Sequence, residues 1–357
     1  MHIGGAENWI LTLAQQFVHC RPVGLFVTEP HFHPDQIRRA RQIMPIDIAR
    51  DGESIANLRA RLVQLCEDAD VLIFWGDAKM PAMRFDERGH VKIHIPIVQV
   101  SHGDGDWCEV EPDGSLNYKQ RNLLAASYQG ATQWTAVSAP AATGYPEAVR
   151  DHVAILPNGA DVNRCVPRRS RETIVKRYGL EGYERIVLFL SRYDSVKNPL
   201  LLVEAAKLLP DDWATVFFGH GTMQPDIIEA ADGFDNIKVF PPIQHPGDIL
   251  QCADVMAMPS LAEGHPLTAN EAWLAGVPVV AAPFNFAQQH EHLFDIVRED
   301  ATPEVWAAAL QQAVNHNVEG RRRIAMEHYT APAFAQRWEE YLYAVVGSKL
   351  QAGIFGG

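Results

Sequence analysis

Short apolar runs alternate with helix-patterned segments along most of the chain. Val23–Thr28, Ile46–Ala49, Val71–Trp75, Ile97–Ser101, Trp134–Ser138 and Val153–Leu156 read as strands, with helices such as Ser54–Cys66 between some of them. A Pro157-Asn158-Gly159-Ala160-Asp161 segment then interrupts the pattern. Beyond it the alternation resumes with Arg185–Leu190, Ala214–Phe218, Ile237–Phe240, Asp254–Met258 and Val277–Ala281. Alternation of this kind predicts parallel sheets covered by helices, hence an α/β protein in two successive units. Trp9, Ile10, Leu13, Ala14 and Phe17 recur at helical spacing after Gly4-Gly5-Ala6-Glu7, so a glycine turn feeds an opening helix. Phe334, Trp338, Tyr341, Leu342 and Val345 form a second apolar helical stripe near the end. Asn198 before Pro199 and Thr302 before Pro303 read as helix caps, with proline where its missing N–H is harmless.

Composition supports two domains: 357 residues at 47% hydrophobic exceed what one core usually holds. A net charge of -13 argues against a general nucleic-acid binder, since phosphate neutralisation needs clustered Lys and Arg. Arg38, Arg39 and Arg41, on a helix expected to begin near Asp35, are a local exception and leave peripheral contact with anionic headgroups open. The five cysteines are scattered, odd in number and never spaced Cys-x2-Cys, which points to a reduced, cytoplasmic chain. No apolar run reaches the ~18–20 residues of a membrane span, and the start MHIGGAENW lacks the basic and apolar regions of a signal peptide.

The candidate chemistry is concentrated in the second unit. Arg192 and Lys197 flank the loop after a predicted strand, at the carboxyl edge where parallel sheets bind ligands. An Arg-x4-Lys pair taken alone is two surface cations; its meaning comes from the Glu-Gly turn downstream. Glu263-Gly264-His265-Pro266-Leu267-Thr268 turns into a helix whose first N–H groups lack internal partners, an end that attracts phosphate. Gly264 lets backbone approach closely, and because Pro266 has no N–H the donors there are Leu267 and Thr268. Glu271 follows about one turn later.

These residues, with Pro259-Ser260 before them and Ala275-Gly276-Val277-Pro278 after, resemble the donor-binding half of retaining glycosyltransferases of family 4. The resemblance implies a GT-B fold: two Rossmann-like parallel-sheet domains facing across a cleft. It places the N-terminal acceptor-side domain at 1–161, completed by a returning helix at 333–350, and the nucleotide-sugar domain at 162–332. It implies transfer of a hexose-type sugar from a nucleotide diphosphate sugar, a UDP-sugar before a GDP-sugar, to a hydroxyl acceptor, with no cofactor and no metal. Arg192 and Lys197 then face the departing diphosphate, where added charge in the transition state rewards cations. Glu263 holds the transferred sugar beside the developing oxocarbenium ion, and His265 joins the donor contacts. Glu271 accepts the ribose hydroxyls, and the Phe240-Pro241-Pro242-Ile243 segment, with Ile243, meets the base. His102, ending the Val98–Ser101 run, corresponds to a histidine near the reacting carbon, and Gly5 to a glycine beside the diphosphate. Asp104 and Asp106 either orient the acceptor or make a turn. The family's opening loop follows a first strand for which only Met1, His2 and Ile3 are present, so this sheet is expected to lack a strand unless the start is assigned too late. After Pro283 the chain also departs from the family, with Phe284-Asn285-Phe286-Ala287-Gln288-Gln289. An epimerase or phosphorylase of the same fold, and a non-catalytic sugar-nucleotide binder, remain as alternatives.

Other signals fail on their surroundings. His31-x-His33, His90-x3-His94 and His290-x-His292 lack the carboxylates or cysteines of a zinc site. Gly219-His220-Gly221-Thr222-Met223-Gln224 starts like a dinucleotide fingerprint but has Gln224 where the third glycine belongs.

Overall fold

The computed structural model describes residues 5–27, 34–75, 78–111, 115–298 and 301–354. Two compact units result, one comprising Met1–Gly159 with Ala331–Gly357 and the other Ala160–Thr330.

In the first unit β1 (Leu25–Val27) pairs in parallel with β2 (Ile46–Ile48). β3 (Leu72–Trp75), β4 (Ile97–Ser101), a small hairpin of β5 (Glu109–Val110) and β6 (Leu116–Asn117), β7 (Gln133–Ala136) and β8 (Val153–Ile155) follow. β3, β4, β7 and β8 form a separate parallel sheet in the order β3-β4-β7-β8. Every residue of β4 is buried, as its apolar run requires, and its one long polar side chain, Gln99, donates to Ser127 Oγ at 2.6 Å. The helix Ile55–Cys66 starts where Ser54 Oγ accepts the Asn57 N–H, and Leu58, Leu62 and Cys66, four residues apart, form its buried stripe. The last helix, Ala331–Ile354, packs Phe334, Trp338 and Leu342 against Trp9 and Leu13 of the opening helix Gly5–Gln16 and against Val98 and Val100 of β4.

The second unit has one parallel sheet built from β9 (Arg185–Leu190), β10 (Trp213–Phe218), β11 (Ile237–Phe240), β12 (Val255–Met258), β13 (Val279–Ala281) and β14 (Asp295–Ile296). The order is β11-β10-β9-β12-β13-β14. Alternate residues feed opposite cores: Ile186 and Leu188 join one cluster, Val187 and Phe189 the other. Both faces are therefore covered, which explains strands that read as continuous apolar runs. The order reverses between β9 and β12, so this unit has a topological switch point there.

Several sequence expectations are adjusted. The strand expected over Val277–Ala281 begins only at Val279, because Gly276 takes a left-handed φ of 78° and the Val277 N–H turns back to the Ala272 carbonyl. That is a glycine-terminated helix end, and it consumes the first two residues of the run. Asn198 does precede the helix at Pro199, but its side chain caps nothing; its φ of 48° instead closes the short turn Ser195–Lys197. Thr302 likewise caps no N–H and bonds to Glu304. The expected loss of a strand before the opening helix falls on Met1–Ile3, outside the described residues, as do Thr28 and the His31-x-His33 pair.

Candidate functional site

Two loops meet at the switch point of the second unit. One follows β9 and carries Arg192, Tyr193, Asp194 and Lys197; the other follows β12 and carries Ser260, Glu263, Gly264 and His265. Leu261 donates its N–H to the Val196 carbonyl at 2.7 Å, tying the loops through backbone. Across the same junction Lys197 Nζ lies 2.6 Å from Glu263 Oε1. Ser260 Oγ donates to that same oxygen at 2.8 Å, which leaves Oε2 free of both donors. Lys197 and Glu263 are only 13% and 12% exposed, so their attraction is far less screened than that of a surface pair. The Lys-Glu contact brings together two residues that lie 66 positions apart in sequence.

The loop after β9 rests on glycines. Tyr193 is fully buried and donates its hydroxyl to the Phe240 carbonyl at 2.8 Å, which ties the loop to the end of β11. A Cβ on Gly219 would lie 1.9 Å from the Ser191 carbonyl oxygen, and one on Gly221 2.2 Å from that of Tyr193. The Gly-x-Gly turn that fails as a dinucleotide motif is thus the floor on which the Arg192–Lys197 loop sits. Arg192, at 46% exposure, pairs with Asp194 at 3.1 Å.

The helix Leu267–Ala275 opens after an extended Pro266, and no side chain caps it. The amides of Leu267 and Thr268, both half-buried, stand at its positive end beside Glu263 and the buried Gly264. Glu271 is buried in the same helix and bonded by Arg164 Nε at 3.2 Å. Burial pushes its carboxyl above the ordinary value, and the Arg164 charge and hydrogen bond pull the other way. Arg164 comes from the short helix Val162–Cys165, whose start Asp161 caps through the Asn163 N–H at 3.0 Å.

The His265 ring is turned into the core and is not presented to a ligand: its Nε2 is 3.0 Å from Asn270 Oδ1, and the ring stacks on Phe286 and meets Tyr329 edge-on. Only its backbone is left for a donor contact. The unexpected Phe284–Gln289 segment is explained by the same packing, as a short helix, Asn285–Gln289, that inserts Phe286 behind His265. Ile243 lies half-buried in the loop after β11, packed against the core.

His102 and Gly5 belong to the first unit. His102 directly follows β4; its ring meets Trp9 edge-on at 4.8 Å, and its Nε2 is shut off from solvent with no hydrogen-bond partner. Burial pulls its pKa down to about 4, so the imidazole is neutral at neutral pH. Gly5 is the first residue of the opening helix. Asp104 accepts the Asp106 N–H at 2.9 Å, a turn contact, while Asp106 pairs with Arg121. Sequence reasoning missed Arg164, Asn270 and the bonding role of Ser260; only Ser260 had a signal, beside Pro259 ahead of the Glu-Gly turn. Among the described residues no three His, Cys, Asp or Glu side chains are grouped to hold a metal ion, and no helix is long and apolar enough to cross a membrane.

Residues 184–316, which include both loops and the helix after them, match the family model described as glycosyl transferases group 1. The match falls within the second unit, which is thereby similar to glycosyl transferases of group 1. Two relatives are both D-inositol 3-phosphate glycosyltransferases. That of Corynebacterium urealyticum is 31% identical over 209 residues, 52% of this chain and 48% of the relative. That of Nocardia farcinica is 36% identical over 148 residues, 37% and 33% of the two chains. The chain thus spans about a third to a half of the length of these curated relatives. Among solved structures, Anabaena HepE in complex with UDP and glucose aligns with a TM-score of 0.75 at 18% identity, over 96% of both chains. Sucrose-phosphate synthase from Thermosynechococcus elongatus aligns at 0.73 and 16% identity, over 97% of this chain and 94% of that one. At such identities the likeness concerns fold, and that fold is GT-B. The family match falls on the unit whose switch point holds the Lys197–Glu263 contact.

Proposed function

We propose that this chain is a group 1 glycosyltransferase that moves a hexose-type sugar from a UDP-sugar to a hydroxyl acceptor with retention of anomeric configuration. The observation that carries the reading is the meeting of Lys197, Glu263 and Ser260 at the switch point, beside the uncapped helix start at Leu267. In this reading Arg192, Lys197 and the amides of Leu267 and Thr268 take the diphosphate. They stabilise the leaving group as its charge grows, without calling on a metal. Glu263 offers Oε2 to a sugar hydroxyl and places negative charge near the forming oxocarbenium ion. Glu271, kept ionisable by Arg164, accepts the ribose hydroxyls, and the Ile243 segment borders the base. The acceptor attacks the face that the diphosphate leaves, and the departing phosphate oxygen takes its proton.

The names of similar proteins support the donor and suggest where to look for the acceptor. HepE is described in complex with UDP-glucose, and the curated relatives are named for an inositol phosphate. The test is incubation with UDP-glucose and UDP-N-acetylglucosamine, with and without myo-inositol 3-phosphate and a panel of neutral polyols, read by proton NMR of the anomeric signal. A new α-linked product that requires both donor and acceptor is expected. Isomerised nucleotide sugar formed without acceptor indicates an epimerase, and binding of UDP without turnover across the panel indicates a non-catalytic binder; either overturns the proposal.

A further inference from the structure

The second unit carries an exposed basic loop built onto one buried carboxylate. Asp248, 1% exposed in the short helix Pro246–Leu250, accepts the backbone N–H groups of both Arg168 and Arg169 on Oδ1, at 2.6 and 3.0 Å. Gln251 Nε2 donates to the Arg169 carbonyl at 2.8 Å. Gly247 brings the helix against the start of the loop, where a Cβ would lie 2.6 Å from the Cys165 carbonyl carbon. The backbone is thus fixed at three points, while Arg168 and Arg169 themselves are exposed. Arg169 Nη1 reaches the other Asp248 oxygen only at 3.5 Å. Arg168 Nη1 lies 2.6 Å from Nε2 of the half-buried His245, and among the described residues no carboxylate pairs with it. Because a guanidinium only donates, that Nε2 is bare and the imidazole carries its proton on Nδ1. Burial and next the Arg168 charge pull the His245 ring below its ordinary pKa, with Arg164 and Arg169 pulling the same way and Asp248 opposing. Three guanidiniums therefore act on one neutral imidazole.

We infer that Arg168, Arg169 and His245 form a binding site for a phosphate group, borne by a soluble phosphorylated compound or by a phospholipid headgroup. Charge decides the sign of the ligand. One carboxylate, Asp248, stands against two guanidiniums, and it is buried with its Oδ1 already bonded to two amides, so the exposed side of the cluster is positive and has N–H donors to spare. Geometry decides the kind of anion. A carboxylate is satisfied by one guanidinium in a single plane, whereas two forks from different residues with an imidazole N–H suit the several oxygens of a phosphate. Held at three points, the loop backbone has little ordering left to lose when such a group binds. The chain's net charge of -13 disfavours an extended polyanion, which leaves a single phosphate group as the ligand. Nothing in this inference rests on the proposed sugar transfer, since Arg192 and Lys197 take no part in it.

The test titrates inorganic phosphate into the full-length protein and follows the His245 ring protons by NMR, with His245→Asn identifying their signals. Sodium chloride at matched ionic strength controls for screening. A saturable shift at His245 is expected in the parent and equally in Lys197→Ala, which separates this site from the diphosphate contacts proposed above. In the Arg168→Gln, Arg169→Gln double variant, with its melting temperature unchanged, the phosphate affinity is expected to fall by about tenfold or more. Arg168→Lys keeps the charge without the planar fork; it is expected to bind several-fold more weakly and carries the test if the double variant does not fold. Absence of a His245 response to phosphate, the same response to sodium chloride, or undiminished affinity in these variants overturns the inference. Sedimentation with phosphatidylglycerol and phosphatidylcholine vesicles then separates the two sources. Retention on phosphatidylglycerol alone, lost with the arginines, makes a headgroup the carrier, and no retention makes it a soluble phosphate ester.

Discussion

Replacing Glu339 by glutamine tests how the last helix is fastened to the first unit. Glu339 Oε1 accepts three successive N–H groups, of Val18, His19 and Cys20, at 2.8, 2.6 and 2.8 Å. Those residues follow the opening helix, so one carboxylate from the chain's end holds the turn near its beginning. Burial by itself lifts the Glu339 carboxyl, but the backbone donors of Cys20, His19 and Val18 outweigh it and hold the group below its ordinary value. Hydrogen bonds to an ionised group are worth roughly 1.5–3 kcal/mol each, and three donors sharing one oxygen cannot each count in full. Glutamine keeps a carbonyl oxygen and loses the charge, so the expected loss at pH 7 is about 2 kcal/mol. Glu339→Ala strands all three donors, with an expected loss of about 3 kcal/mol or more.

The sign of the pH dependence follows from the depressed carboxyl. A group held below its unfolded pKa of about 4.3 contributes its full stabilisation above that pH and loses it as pH falls through the lower folded value. The gap between parent and Glu339→Gln is therefore constant near neutrality and closes under acid conditions. Urea unfolding followed by tryptophan fluorescence is the assay, since Trp9 and Trp338 pack together in this unit at 5.3 Å. The first unit's transition is the one to follow, because two units need not unfold together. Equal midpoints at pH 7, or a difference that persists unchanged in acid, refutes the reasoning.

Three further outcomes concern the second unit. Lys197→Ala and Glu263→Ala are each expected to cut sugar transfer by more than about tenfold, or 1.4 kcal/mol of barrier. Each also loses stability by stranding a largely desolvated partner, and in urea titrations the Lys197→Ala, Glu263→Ala double variant is expected to lose less than the sum of the singles. Arg164→Gln removes the cation that draws the Glu271 carboxyl down against its burial, so that pKa rises further and the carboxylate is lost as pH falls. Calorimetric UDP affinity is expected to fall in this variant and to weaken more than the parent's between pH 7 and pH 5; parallel profiles sink the assignment. Gly219→Ala forces a methyl into the Ser191 carbonyl and is expected to destabilise by about 3 kcal/mol, visible as a lower melting temperature with UDP absent.

The legible parts of this chain are those where one local rule decides. Strand positions in the second unit follow from unbroken apolar runs, because both sheet faces are buried and no polar alternation blurs the signal; Arg185–Leu190 and Ile237–Phe240 have the expected limits. The run at Val277 misleads because helix termination at Gly276 is a backbone event, and hydrophobicity does not report it. Site residues divide along the same line. Lys197 and Glu263 could be proposed from loop position, since a parallel sheet fixes which edge its loops occupy, yet their direct contact depends on β9 and β12 being neighbours, a fact of topology. Arg164 had no signal at all: it reaches Glu271 across 107 residues only because Asp161 starts a short helix at that point. His265 is the converse case, a polar residue in a persuasive motif whose ring partners, Phe286 and Tyr329, arrive from later in the chain and draw it inward. A motif therefore fixes where backbone goes, and the residues that later pack around it decide which side chains remain available for chemistry.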